Sequence, residues 1–560
     1  MTDSHFGERN PYAARPWRAL YANSQETGAG APRFPHLLSA FDDAVRNAAS
    51  DPAIIYFDQK LSYGELDKLS DAFAAALAER GFERGDRLAL YLQNAPSFVI
   101  AALAAWKLGG IVVTVNPMNT ARELSAILAD SKPKVLVTHD ELYRDVVKGL
   151  DFAPSSIFTT SPLDFQSRND NRVFGNLTRR APDPLDLVET IRLQKDKGLR
   201  RIELSDTDIA MLVYTSGTTG VPKGAMNTHG GASITAESVA RWMNVGRGMP
   251  VLGVAPLFHI TGLVAGLALA FVTASPLILA YRFHPNVVAD AIEEHRAGVT
   301  FCAITALMAM LNEATVRPEQ LRTLTKVSSG GAPVPPQVLT DFQQKFGHYI
   351  YHGYGMTETN GPVFLVPENS KAPIEELTGT LSIGIPTPHT LAWIADDDGA
   401  PAPTGDRGEI VIGGPSLTAG YWNRPEDSAK SMRSDGLRTG DIGFMDANGW
   451  FYLVDRKKDM INAGGYKIWP REVEDVLYTH PAIREVAVVG VPDPYRGETV
   501  RAVVSLKQGQ RITTAELQEF CRSQMAAYKY PRIIDIVDEL PKSSSGKILR
   551  RALRDQVSES

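Results

Sequence analysis

The sequence predicts an α/β fold in two parts: a large N-terminal domain of layered parallel sheets carrying an antiparallel β subdomain, then a small α+β C-terminal domain. Three observations predict it. The chain has 560 residues, more than one hydrophobic core normally serves. From residue 52, short strands that are apolar throughout alternate with stretches of helical length and period, the pattern of parallel strands covered on both faces. Beyond residue 375 the strands shorten between Gly, Asp and Asn turns, and beyond residue 458 a helix-and-strand series begins afresh.

In chain order, residues 1–35 read as an N-terminal extension without the apolar segment of a secretory signal. AIIYF reads as the first strand, and SYGELDKLSDAFAAALAERG as a helix opened by a capping box, Ser62 with Glu65 three positions on. The series continues with RLALYL, the helix PSFVIAALAAWKLGG, IVVTV, the helix ARELSAILADS and KVLVTH. Residues 160–205, charge-mixed in SRNDNR and RLQKDKG, read as loop or a mobile excursion. Residues 260–281 carry no charge and could span a bilayer by length, but Pro276 splits them into a helix-length piece and the strand-like PLILA, as in a buried helix and strand. GTLSIG, LAWIADDDG, GEIVIGG and GFMDANGWFYLVD supply the antiparallel part of a domain expected over residues 36–457. PREVEDVLYTH, EVAVVGV, RAVVSL, TAELQEFCRSQMAAY and IIDIV then make up a domain expected over residues 458–560.

Charge and cysteine content exclude several functions. The net charge of −6, from 58 basic and 64 acidic residues, offers no basic face for nucleic acid. Two cysteines, Cys302 and Cys521, make neither a disulfide framework nor a thiolate zinc site, which fits a reducing, cytoplasmic setting.

The chemistry is concentrated in YTSGTTGVPKG, residues 214–224, after the apolar IAMLVY. Hydroxyls of Thr215, Ser216, Thr218 and Thr219, the free backbone of Gly217 and Gly220, and the cation of Lys223 suit a polyphosphate. The Walker A template fails, because Gly224 rather than Ser or Thr follows Lys223; in SSSGKIL, Ile548 follows Lys547. A P-loop kinase or GTPase is therefore disfavoured.

TSGTTGVPKG, GYGMTET (353–359), RTGDIG (438–443), DRKKDMINAGGYKI (455–468) and PKSSSGKILR (541–550) together resemble the adenylate-forming superfamily. The resemblance implies ATP-dependent acyl-adenylate formation with release of pyrophosphate, then transfer of the acyl group to a thiol, usually coenzyme A. It implies that Thr215, Ser216, Gly217, Thr218, Thr219, Gly220 and Lys223 hold the β- and γ-phosphates, that Thr357 meets the α-phosphate, and that Glu358, with Thr218, binds Mg2+. Gly330, Gly331, Ala332 and Pro333 resemble the adenine slot, with His352, Gly353, Tyr354, Gly355 and Met356 beside it and Tyr354 as the stacking ring. Asp441 resembles the ribose ligand, assisted by Arg456. Lys458 falls at the family's hinge between a fixed and a mobile domain, Lys467 near the nucleotide in the thiol-accepting arrangement, and Gly464, Gly465 and Tyr466 along the pantetheine channel. Lys547 is implied to reach the carboxylate and α-phosphate during adenylation and to leave when the small domain rotates.

The acyl group is expected behind PLFHITG, with His259 at the mouth and the small Thr261, Gly262, Ala265 and Gly266 leaving room, and against Thr305, Met308, Met310 and Leu311 of TALMAML. The FHITG and AGGYKIWPREVE segments resemble bacterial long-chain fatty acid–CoA ligases, so a long-chain acid leads; aryl and steroid-side-chain acids use the same scaffold, and a non-CoA adenylating enzyme is the weaker alternative. The expected partners are a small carboxylic acid, ATP and coenzyme A, not nucleic acid, with room for a homodimer and for peripheral membrane contact.

Overall fold

The computed structural model describes residues 11–21, 32–151, 154–179, 184–195, 197–215, 222–332, 334–368, 370–376, 379–456, 459–463, 466–543 and 547–555. A six-stranded sheet runs in the order Ser156–Thr160, Val135–His139, Arg87–Tyr91, Ile111–Val115, Ile209–Thr215 and Lys223–Thr228. All are parallel except the last, which returns antiparallel to its neighbour. Val135–His139 and Ile111–Val115 are buried along their whole length, as apolar strands covered on both faces must be. Helix Pro96–Lys107 packs between this sheet and helix Tyr63–Glu79 and is buried at every position. Ser62 caps Tyr63–Glu79 in the expected capping box with Glu65.

A second, 14-stranded sheet changes character partway across. Pro52–Tyr56, Leu277–Leu279, Val251–Leu252, Val299–Cys302, Lys326–Gly330 and Ile350–Met356 are parallel neighbours. From Gly361–Leu365 onward, through Ser382–Pro386, Phe451–Arg456, Gly436–Met445, Gly408–Gly413 and Leu391–Ala395, every pairing is antiparallel. The antiparallel part is thus continuous with the parallel sheet, and the reversal falls at the turn after Ile350–Met356. The carboxyl ends of parallel strands beside such a reversal are where α/β sheets leave a crevice.

Two segments test the sequence expectations closely. Residues 260–281 form Ile260–Gly262, a wider turn over Leu263–Ala268, helix Leu269–Val272 and then strand Leu277–Leu279, so the break at Pro276 separates helix from strand as anticipated. No helix among the described residues is long and apolar enough to cross a membrane. Residues 160–205 differ from the expected loop: helix Asn171–Phe174 and the Asp186-capped helix Leu187–Gln194 lie within them, the latter burying Leu187 and Ile191. The charges that suggested a free loop are paired with distant carboxylates, Arg168 with Glu294 at 2.7 Å, Arg172 with Asp290 at 2.7 Å and Arg201 with Asp42 at 2.8 Å.

Ile461–Ala463 leaves the large sheet and joins a five-stranded sheet with Tyr466–Ile468, Gly497–Leu506, Ile483–Asp493 and Ile533–Ile536. The two faces of Ile483–Asp493 follow its alternation. Val486 and Val488 pack with Val473, Leu477 and Leu517 of helices Pro470–Tyr478 and Thr514–Gln524, whereas Ala487, Val489 and Val491 pack with Leu553 of helix Arg550–Asp555.

Candidate active site

Three elements border the crevice. The first is the antiparallel pair Ile209–Thr215 and Lys223–Thr228, in which Tyr214 faces Gly224 and Thr215 faces Lys223, so the phosphate-type motif connects two antiparallel strands. A P-loop instead runs from strand to helix, which agrees with the failed Walker template. Ser216, Gly217, Thr218, Thr219 and Gly220 lie outside the described residues. Lys223 Nζ pairs with Asp427 at 2.7 Å and stands 5.4 Å from the ring centroid of Tyr421.

The second is the end of Ile350–Met356 and the turn Thr357–Thr359 that follows. Asn227 holds it from below, donating through Nδ2 to the Thr357 carbonyl at 2.8 Å and to Asn360 Oδ1 at 3.1 Å, while Asn360 donates to the Ser416 carbonyl at 2.8 Å. Glu358 Oε1 accepts from the Tyr421 hydroxyl at 2.7 Å, and its Oε2 carries no hydrogen bond among the described residues. No cluster of three or more His, Cys, Asp or Glu side chains that could enclose a metal occurs among the described residues. One carboxylate with a free oxygen is a donor set for Mg2+, which completes its shell with substrate phosphates and water rather than a protein cage.

The third element is the paired strands Gly436–Met445 and Phe451–Arg456, where Asp441 and Arg456 are cross-strand neighbours. Asp441 is buried; its Oδ2 accepts from the Tyr354 hydroxyl at 2.6 Å and its Oδ1 lies 3.4 Å from Arg456 Nε. Burial pushes the Asp441 carboxyl above its ordinary value, against the pull of Arg456 and Tyr354. Gly330, Gly331, Ala332, Gly353 and Gly355 lie on the two adjacent strand ends, with Pro333 outside the described residues. His352 turns into the core instead, its Nδ1 2.9 Å from the Ser382 carbonyl, and burial lowers its pKa to about 4.

Lys547 enters this crevice from the small domain. Gly331 beside it is glycine because its φ is +77°; a Cβ there would also come within 3.2 Å of Lys547 Cε. Burial lowers the Lys547 pKa first and the Arg456 cation lowers it further, while Asp441 and Glu358 oppose both. The arm is anchored by Ser543, whose N–H donates to the Lys547 carbonyl at 2.7 Å and whose hydroxyl oxygen accepts from the Lys547 N–H at 3.1 Å. The structure thus brings Lys547, Glu358, Thr357, Asp441, Arg456 and Tyr354 together. Lys458, Gly464 and Gly465 lie outside the described residues, as does the Lys467 side chain; Tyr466 is exposed and stacks on Tyr528 with centroids 4.7 Å apart.

On the acyl side, His259 Nδ1 accepts from the Thr261 N–H at 3.4 Å, and burial with the nearby Lys547 cation lowers its pKa to about 3, so the imidazole is neutral. Gly262 is small for a packing reason: a Cβ there would lie 2.1 Å from the Pro256 carbonyl oxygen. Gly266 differs: among the described residues, nothing beyond its own stretch of backbone lies within 4 Å of the missing Cβ, so space opens beside it. Ala265 and Met310 are buried, and Thr305 is half-buried on helix Ile304–Asn312.

Sequence reasoning did not find Tyr421, Asp427, Asn227 or Asn360. GYWNRPE carries no periodicity or charge cluster, and only the fold sets Tyr421 against Glu358.

Comparison with known proteins agrees with this geometry. The AMP-binding enzyme family matches residues 41–422, and the AMP-binding enzyme C-terminal domain matches residues 472–547. The chain is 36% identical to a long-chain-fatty-acid–CoA ligase of Bacillus subtilis (strain 168) over 97% of its own length and 98% of that protein's. It is 33% identical to a feruloyl-CoA synthase of an Amycolatopsis species, over 91% and 97%. The anthranilate CoA ligase AuaEII, solved in complex with anthranoyl-AMP, superposes with a TM-score of 0.83 and 25% identity over 94% of this chain and 98% of that one.

Proposed function

The chain belongs to the AMP-binding enzyme family, whose relatives here are AMP-forming acid–thiol ligases, and from that premise we propose that it activates a long-chain fatty acid with ATP and passes the acyl group to coenzyme A. The observation that carries the reading is Lys547, whose side chain crosses from the small domain to lie against Gly331 at the crevice that Asp441 and Glu358 border. In the first half-reaction a carboxylate oxygen bonds to the α-phosphorus, the bond to the bridging oxygen breaks, and pyrophosphate leaves. Two anions must meet, and the Lys547 ammonium offsets their repulsion while Thr357 offers a donor. Asp441 accepts from the ribose hydroxyls and Tyr354 flanks the base. Glu358 and Thr218 would hold Mg2+, which when bound would neutralise charge at the phosphates.

In the second half-reaction the coenzyme A sulfur bonds to the acyl carbon, the bond to the AMP oxygen breaks, and the thiol proton passes to solvent. For this the small domain rotates about Lys458, withdrawing Lys547 and bringing Gly464, Gly465, Tyr466 and Lys467 to the adenylate. The acyl tail lies beyond His259 in the space beside Gly266, against Thr305 and Met310. The resemblance to a fatty-acid ligase at 36% identity supports the long-chain acid over an aryl one, and the feruloyl and anthranilate relatives support the aryl alternative. The reading places the enzyme in the cytoplasm, with homodimerisation and peripheral membrane contact open to sedimentation measurements with and without anionic vesicles.

Acid-dependent pyrophosphate exchange, run with long-chain, medium-chain, aryl and steroid-side-chain acids, tests the proposal. Exchange driven best by long-chain acids agrees with it. Exchange driven only by aryl acids moves the substrate, and no exchange with any acid sinks the ligase reading.

A further inference from the structure

We propose that Tyr421 is a positioning residue that aims Glu358 at the metal and keeps its carboxylate from collapsing onto Lys547. The inference rests on the adenylation reading and assigns a role within it to a residue outside the motifs that suggested that reading.

The backbone around Tyr421 is fixed on both sides. The Thr418 N–H donates to the Glu358 carbonyl at 2.8 Å; the Ala419 N–H donates to the Met226 carbonyl at 2.9 Å and the Trp422 N–H to the Gly224 carbonyl at 2.8 Å. Met226 returns a bond to the Gly420 carbonyl at 2.8 Å, and the Tyr421 N–H donates to Ser428 Oγ at 2.8 Å. Tyr421 is therefore laced to the turn bearing Glu358 and to the strand bearing Lys223, and it is 8% exposed. From that seat its hydroxyl reaches Glu358 Oε1 at 2.7 Å and its ring lies 5.4 Å from Lys223 Nζ.

A glutamate side chain has three free torsions, and the Lys547 side chain, which lies against Gly331, enters the same crevice. Paired with Lys547, the carboxylate would spend its charge on the cation that adenylation needs for the α-phosphate. The Tyr421 hydroxyl is a neutral donor that occupies Oε1 and leaves Oε2 as the open ligand.

The test uses the full-length protein, a non-hydrolysable ATP analogue with an α,β-methylene bridge, and Mn2+ in place of Mg2+, with bound metal read by electron paramagnetic resonance. Tyr421→Phe removes one oxygen and keeps the ring. It is expected to weaken Mn2+ binding in the ternary complex roughly tenfold, the scale of a lost hydrogen bond to a charged group. On a Glu358→Gln background the same substitution should have no further effect on metal binding, because the anionic ligand that the hydroxyl positions is already gone. A threefold or larger loss that vanishes on that background supports the inference. A smaller loss, an equal loss on both backgrounds, or equal loss of metal-free nucleotide binding overturns it. Wild-type protein that binds neither nucleotide nor Mn2+ would instead overturn the ATP reading beneath it.

Discussion

Lys547 is the side chain whose surroundings most constrain the chemistry. Burial and Arg456 lower its pKa, so the ammonium gives up its proton at a lower pH than an ordinary lysine. Since the cation is the form that offsets the anions, adenylation should fall as pH rises through that lowered value. Bound ATP restores charge balance and pushes the value up again, so the alkaline limb should lie lower in kcat/KM than in kcat. Lys547→Arg, whose guanidinium stays charged, should lose that limb; a limb that persists in the variant would assign it to another group. Gly266 makes a second residue-scale prediction. With open space beside its missing Cβ, Gly266→Leu should leave short acids as substrates while lowering kcat/KM for long-chain acids at least tenfold. Chain-length profiles that stay parallel for the two proteins would place the tail elsewhere.

At the scale of elements, the two sheets are tied together by a residue that no pattern announces. Asn94, just before helix Pro96–Lys107, donates to the Gly253 carbonyl at 3.0 Å and the Ala255 carbonyl at 3.1 Å and accepts from the Leu257 N–H at 2.7 Å. It thereby fixes the segment that leads from strand Val251–Leu252 to His259. Asn94→Ala leaves those backbone groups buried and unpaired and should cost about 2–4 kcal/mol, read by urea unfolding, with a raised KM for the acid; unchanged stability would contradict the tie. What was legible in the sequence, and what was not, divides on this line. Apolar strands such as IVVTV and the Ser62–Glu65 cap were readable because the signal is local, in residues two to four apart. Helix Leu187–Gln194 was hidden because its neighbours are charged, and those charges are satisfied only by partners such as Glu294 and Asp42 far along the chain. Lys107 was hidden for the same reason: an apolar helix ends in a lysine whose Nζ meets Asp71 at 2.6 Å and Asp67 at 2.8 Å on another helix. At the site the motifs marked the groups proposed to touch ATP, whereas Tyr421, Asn227 and Asn360 support those groups through contacts that exist only in the fold.

For the whole molecule, the structure holds the small domain in one arrangement by contacts that cross between the domains. Asp455, at the end of the large sheet, accepts from Arg550 Nη1 at 2.9 Å and from the Arg471 N–H at 3.0 Å; Arg471 Nη1 also donates to the Leu453 carbonyl at 2.8 Å, and Arg407 pairs with Glu472 at 3.2 Å. These contacts accompany Lys547 in the crevice, while Tyr466 of the proposed thiol channel stays exposed. In the proposed mechanism this arrangement serves adenylation and another serves thioester formation. The measurement that tests this most directly is Lys547→Ala assayed in each half-reaction separately. Loss of acid-dependent pyrophosphate exchange by roughly a hundredfold or more, the scale of removing a donor from a developing charge, with thioester formation from supplied acyl-adenylate largely retained, is the predicted result. Equal loss in both half-reactions would contradict a lysine that acts in the first and withdraws before the second.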